Sequence, residues 1–164
     1  MATEYTHAPT LVDKINDFLE QRRIAVAGVS ATRETPGNMI YRKLKGAGYQ
    51  VFAISPSAET FDGDRSYPDL LSIPGGVDGV VIATRPAATE ELVRQCVQAR
   101  VPRVWMHESM IHGGTSVSAD AVAFCREHEI ALIAGACPMM YCTPVDFGHR
   151  CMRWMMQATR GLPK

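Results

Sequence analysis

Ile24-Ala25-Val26-Ala27-Gly28-Val29-Ser30 is a short apolar run that breaks at a glycine and a serine. Arg22-Arg23 lead into it, and a helix-like segment with apolar Met39, Ile40 and Leu44 follows over Gly37 to Lys45. A buried strand, a tight turn of small residues and then a helix place backbone N–H groups and a helix N-terminus at a strand end, where phosphate sits readily. Set against G-x-G-x-x-G, the turn gives Gly28, Ser30 and Arg33, so only the first glycine is present. A side chain at Ser30 crowds a pyrophosphate lying on the backbone, yet its hydroxyl can donate to a phosphate oxygen. Arg33 puts a cation where a helix-packing glycine would stand. The turn suits phosphate and suits NAD poorly.

Outward from this unit, short β-rich runs alternate with longer helical ones. Thr10 is a plausible N-cap for a helix over about 10–21, with Leu11, Val12, Ile15, Phe18 and Leu19 at helical spacing. Strand one covers Ile24 to Gly28 and the next helix about Pro36 to Ala47, stopped by Gly46 and Gly48. Tyr49 to Ile54 reads as strand two, and a polar loop through Asp62-Gly63-Asp64 leads to a turn of helix around Asp69 to Leu71. Val77 to Ala83 is almost unbroken in apolar character, as a strand covered on both faces should be. Pro86 opens a helix through Ala99. Arg103 to Met106, Ser118 to Glu129, Ile130 to Ala134 and about Val145 to Thr159 complete the series as strand, helix, strand and helix. Five strands alternating with helices imply parallel pairing and right-handed crossovers. The expected fold is one α/β domain, a Rossmann-like doubly wound parallel five-stranded sheet over about 22–134. An extra helix stands at its N-terminus, and a C-terminal extension covers about 137–160.

A chain of 164 residues has room for one substantial core. Lys+Arg and Asp+Glu both number 17, so no global field draws in nucleic acid or an anionic membrane. Aromatic residues are not interleaved with basic ones, which argues against a stacking platform for single strands. No apolar stretch reaches the roughly 20 residues of a membrane span. Five cysteines, an odd number, fit a reducing cytoplasm better than a disulfide framework. A small-molecule nucleotide ligand is therefore expected rather than nucleic acid or membrane, and a homodimer is left open.

In doubly wound sheets ligands bind beyond the carboxyl ends of the strands, where strand order reverses. That rule nominates Gly28, Ser30 and Arg33 after strand one, Ser55 and Pro56 after strand two, Thr84, Arg85 and Pro86 after strand three, and Met106, His107 and Glu108 after strand four. An NAD site wants Asp or Glu after strand two to hold the ribose hydroxyls, and here stands Ser55-Pro56. An uncharged strand end fits an adenosine whose ribose carries phosphate. Thr84 and Arg85 add a hydroxyl and a guanidinium at a helix start. The plainer alternative makes Gly28 a turn glycine, Ser30 a cap and Arg85 a solvated charge.

These residues, with Gly46-Ala47-Gly48-Tyr49-Gln50-Val51, Ile54-Ser55-Pro56, Tyr67-Pro68-Asp69-Leu70, Ile73-Pro74, Val77-Asp78 and Val104-Trp105-Met106, resemble the small CoA-binding proteins. These are stand-alone relatives of the CoA-binding domain of the succinyl-CoA synthetase alpha subunit. The resemblance covers roughly Arg22 to Ala134. It implies a Rossmann-type fold binding coenzyme A or a related adenine nucleotide. Phosphate contacts are implied around Gly28, Ser30 and Arg33, adenosine contacts around Ser55 and Pro56, and further contacts around Thr84, Arg85 and Pro86. Three features depart from the family pattern: Ser55 in place of an asparagine, His107-Glu108 in place of a glutamine-containing turn, and the tail from Cys137.

No pair of carboxylates stands out as general acid and base, and no catalytic residue is assigned. His107, Glu108 and His112 could orient a thioester or pantetheine end, or be polar loop residues. Cys137, Cys142, His149 and Cys151 offer thiolates and an imidazole within one segment, but Cys-x4-Cys followed by His-x-Cys matches no common zinc spacing. Buried free thiols in a Met-rich helix are the plainer reading, and Cys96 and Cys125 read as core. The leading expectation is a protein that binds coenzyme A or an acyl-CoA as a non-catalytic carrier, sensor or regulatory module. An NAD(P)-dependent oxidoreductase is the alternative, and a metal or redox protein built on the Cys/His segment is the third.

Overall fold

The computed structural model describes residues 8–109 and 114–159. In chain order these form α1 (Leu11–Leu19), β1 (Arg23–Ala27), α2 (Pro36–Gly46), β2 (Gln50–Ile54), β3 (Thr60–Phe61), β4 (Asp64–Tyr67), β5 (Gly79–Ile82), α3 (Pro86–Gln98), β6 (Arg103–Met106), α4 (Ala119–Glu127), β7 (Ala131–Ala134), a 3-10 turn (Pro138–Met140) and α5 (Phe147–Ala158). Helix starts follow local chemistry. Thr10 and Asp13 close a capping box at α1, and Pro86 occupies the first turn of α3, both as expected. Thr35, Ser118 and Asp146 each accept a backbone N–H at the starts of α2, α4 and α5.

The sheet runs β3-β4-β2-β1-β5-β6-β7. Strand β1 lies at its centre, parallel to β2 on one side and β5 on the other, and β5, β6 and β7 continue in parallel. Alternate residues of β1 face opposite layers. Ala25 and Ala27 join Val80, Ile82, Val104, Met106, Leu92, Cys96 and Cys125 beneath α3 and α4. Ile24 and Val26 join Phe18, Ile40, Leu44, Val81 and Trp105 beneath α1 and α2. Both faces of the central strands are therefore covered, which explains their uninterrupted apolar sequence. Each fully buried Val, Leu or Ile adds roughly 1.5–3 kcal/mol to the driving force.

The doubly wound α/β expectation holds, but the sheet has seven strands, not five. The segment read as a polar loop is a hairpin. Phe61 pairs with Asp64 across Asp62 and Gly63, both at positive φ (48° and 82°), and Thr60 pairs with Arg65. Asp-Gly between two strands is the residue pair such a tight turn demands. β4 then adds in parallel to the outer edge of β2. The turn of helix expected at Asp69–Leu71 is instead a series of bends and turns, pinned where Ser72 N–H donates to Asp69 Oδ1 at 2.8 Å. Among the described residues no helix is long and apolar enough to cross a membrane.

Candidate functional site

Strand register builds the site's edge. Ala27 pairs with Ile54 and with Ile82, Ile82 with Met106, and Met106 with Ala134. One residue further on, Ser55, Gly28, Ala83, His107 and Gly135 therefore stand in a row along the carboxyl ends of the strands. Chain order reverses between β1 and β5, so the switch point lies at Gly28 and Ala83. Gly28 sits at φ 101°, and a Cβ on it would meet Ala83 O at 2.3 Å and Thr84 Cγ2 at 3.3 Å. No other residue fits, and the two loops leaving the switch point are in contact there.

The loop after Gly28 is held by a residue the sequence did not single out. Asn38, 2% exposed, points its amide into the turn. Its Oδ1 accepts from Ser30 N–H at 2.8 Å and Thr35 Oγ1 at 2.8 Å, while Nδ2 donates to Ser30 O at 2.9 Å and Arg33 O at 3.0 Å. The neighbouring Gly37 replaces the helix-packing glycine missing at Arg33: its Cβ would meet Gly28 C and O at 2.6 Å. Thus α2 presses directly on the turn, several residues later than in the usual dinucleotide motif. The Ser30 N–H and the Asn38 N–H are both engaged within the protein, by Asn38 Oδ1 and Thr35 Oγ1. The Ser30 hydroxyl accepts from Thr32 N–H at 3.3 Å and shares a second hydrogen bond of 3.3 Å with Thr32 Oγ1.

Beside this loop lies a cleft of about 300 Å³ lined by Ser30, Arg33, Asn38, Arg42, Phe61 and Asp62 among others. Arg42 neutralises its two carboxylates, contacting Glu34 Oε1 at 2.8 Å and Asp62 Oδ2 at 2.6 Å, and holds the Asp62 carboxyl below its ordinary range. Arg33 is exposed and has no ion pair or hydrogen bond to its guanidinium among the described residues. A second cleft, about 340 Å³, opens at the amino ends of β1 and β2 near Leu19, Gln21 and Tyr49. That edge is the wrong one for a ligand in this topology.

Across the switch point Arg85 is the N-cap of α3 and Pro86 its first residue. No side chain caps this helix, and the exposed Arg85 guanidinium has no partner among the described residues. Thr84 Oγ1 lies 3.3 Å from Thr89 Oγ1, which donates to Ser116 O at 2.8 Å. His107 is 5% exposed, and burial lowers its imidazole to about 4, so it is neutral near pH 7. Glu108 is exposed beside it and bridges to Thr115.

The fold thus gathers Gly28, Ser30, Arg33, Ser55, Pro56, Thr84, Arg85 and Pro86 along one edge. Ser55 is buried and Pro56 exposed. Met106 lies at the right strand end, but its side chain has no exposed surface and packs beneath α3 and α4, so it supports the crevice from below. His112 lies outside the described residues. The Cys/His segment does not converge. Cys142 packs with Tyr41 and Trp105, Cys137 with Met140 and Met156, Cys151 is exposed, and His149 Nδ1 contacts Asp146 Oδ2 at 2.6 Å. Among the described residues no three His, Cys, Asp or Glu side chains are placed to share a metal ion. Burial raises the Cys96 and Cys125 thiols, Cys125 to about 11.

Sequence and fold together identify the class. The chain belongs to the CoA binding domain family, whose family model matches residues 22–143. It is 29% identical over 89 residues to the ADP-forming acetate–CoA ligase II of Archaeoglobus fulgidus, spanning 53% of this chain and 13% of the ligase. It is 22% identical over 100 residues to the uncharacterized protein YneT of Bacillus subtilis, spanning 60% of this chain and 74% of YneT. A solved hypothetical protein from Pyrococcus horikoshii superposes with a TM-score of 0.71 at 26% identity, over 85% of this chain and 94% of that one. The dinucleotide-forming acetyl-coenzyme A synthetase 1 of Ca. Korarchaeum cryptofilum, solved with phosphate and ADP, shares the fold (TM-score 0.59, 23% identity, 69% of this chain and 25% of the synthetase).

Proposed function

We propose that this chain binds coenzyme A or an acyl-CoA along the carboxyl edge of its sheet, as a non-catalytic carrier, sensor or regulatory module of the cytoplasm. The observation that carries the reading is the pair of unengaged guanidiniums, Arg33 and Arg85, on the two loops that meet where Gly28 abuts Ala83. CoA brings a pyrophosphate and a ribose phosphate, and cations free of internal partners suit both. Ser30 and Thr84 add hydroxyls on the same two loops, whose internal hydrogen bonds to Thr32 Oγ1 and Arg85 O are long at 3.3 Å and exchange readily for a phosphate oxygen. The buried, uncharged Ser55 at the end of β2 accepts an adenosine without repelling a ribose phosphate, where a carboxylate would repel it. A non-catalytic role is favoured by the burial of His107, which keeps its imidazole from a ligand lying along the crevice. Calorimetric titration of Arg33→Ala and Arg85→Ala with CoA tests the reading. Each loses a charge-assisted phosphate contact, so affinity falls about tenfold or more per variant. Unchanged affinity in both removes them from the site.

A further inference from the structure

Helix α5 carries two apolar faces. Its inner face rests on the body of the protein: Met156 packs with Ala136, Cys137 and Met140, and Arg153 donates to Met140 O at 3.2 Å with its guanidinium over the Tyr141 ring. At about 100° per residue, Phe147, Cys151, Trp154, Met155 and Ala158 fall together on the opposite side. There Phe147 is 80% exposed, Trp154 72% and Met155 47%. Every other aromatic ring of the described residues is at least partly buried. A helix apolar on the side away from its own domain is built to be covered.

We propose that this face of α5 pairs with the same face of a second copy, as an antiparallel helix pair across a twofold axis. The residue order is self-complementary, as an isologous contact requires. About a twofold at Cys151, Phe147 of one copy meets Met155 of the other, a favourable ring–sulfur pair. Trp154 meets Gly148, where no side chain stands in its way. Charge favours the same occupant. The chain has a formal net charge of zero, so two copies do not repel at long range. Arg153 is engaged inward, which leaves Arg150 as the cation beside the bare face among the described residues, too little to hold an anionic lipid surface. With roughly 150–250 Å² per large side chain, the exposed fractions leave on the order of 400 Å² per copy. Doubled, this approaches the roughly 1,000 Å² of a weak interface and falls short of a standard one near 1,600 Å², so the dimer forms reversibly with concentration.

Sedimentation velocity across the micromolar range tests the pairing, with Phe147→Ser/Trp154→Ser as the comparison. Both residues are exposed, and a matching thermal midpoint will show that the variant is folded. The mass of the unaltered protein should climb toward twice the monomer, and the double variant should need at least about tenfold more protein to associate. A short bis-maleimide should link two copies through Cys151, and Cys151→Ser should abolish the link. A monomer at every concentration overturns the proposal. So does a dimer that the double variant leaves intact, or a monomer that instead docks on anionic vesicles.

Discussion

A methyl group on Gly28 would stand 2.3 Å from the carbonyl oxygen of Ala83, on a backbone already at φ 101°. Gly28→Ala must therefore part the two central strand ends or strain its own backbone. A loss of about 2–4 kcal/mol is expected in urea unfolding, with CoA affinity falling alongside. His107 offers a second residue-scale test. Its imidazole titrates near 4 when folded and near 6.5 when not, so the unfolded chain binds the extra proton between those values. Stability should be full above 6.5 and fall as pH drops toward 4, by about 3 kcal/mol in all. Unfolding curves of His107→Gln should lack that slope. An unchanged pH dependence would show that His107 is not the group responsible. At this scale the placement of Gly28, Ser30, Arg33 and Arg85 just beyond the carboxyl ends of two neighbouring strands was legible, because apolar runs that stop at a glycine or at Arg-Pro mark strand ends in sequence. Asn38 was not legible, because an asparagine in the first turn of a helix is ordinary until the loop folds back over it.

The loop between β1 and α2 stands or falls with the Asn38 amide. Asn38→Ala removes the partners of Ser30 N–H, Ser30 O and Arg33 O at once. A cost of about 2–3 kcal/mol is expected, with faster amide exchange over residues 30–34 and weaker CoA binding. Unaltered exchange in that loop would show that Asn38 does not hold it. The long buried strands and the capped helices were readable from periodicity and from Thr10 and Pro86. The β3–β4 hairpin was missed since Thr60, Asp64, Arg65 and Ser66 show no apolar run, although Asp62-Gly63 carried the turn signal. Gly37 was missed as well. The motif was sought at fixed spacing, whereas here the packing glycine arrives with the helix itself.

For the molecule as a whole, one edge of a doubly wound sheet organises everything that points to a ligand. The expectation of phosphate chemistry there came from the sequence, and register then showed that Ser55, Gly28, Ala83 and His107 share one row. A ligand that binds the folded chain alone stabilises it by mass action. CoA at about a hundred times its dissociation constant should add roughly 2.7 kcal/mol, a rise of about 5–10 °C in thermal midpoint for a domain of this size. The most direct test is calorimetric titration of the protein with CoA, run in parallel with NAD and NADP as competitors. The account predicts that CoA binds and that neither dinucleotide displaces it. Preference for NADP, or no heat with CoA, would contradict it and leave the fold without the ligand.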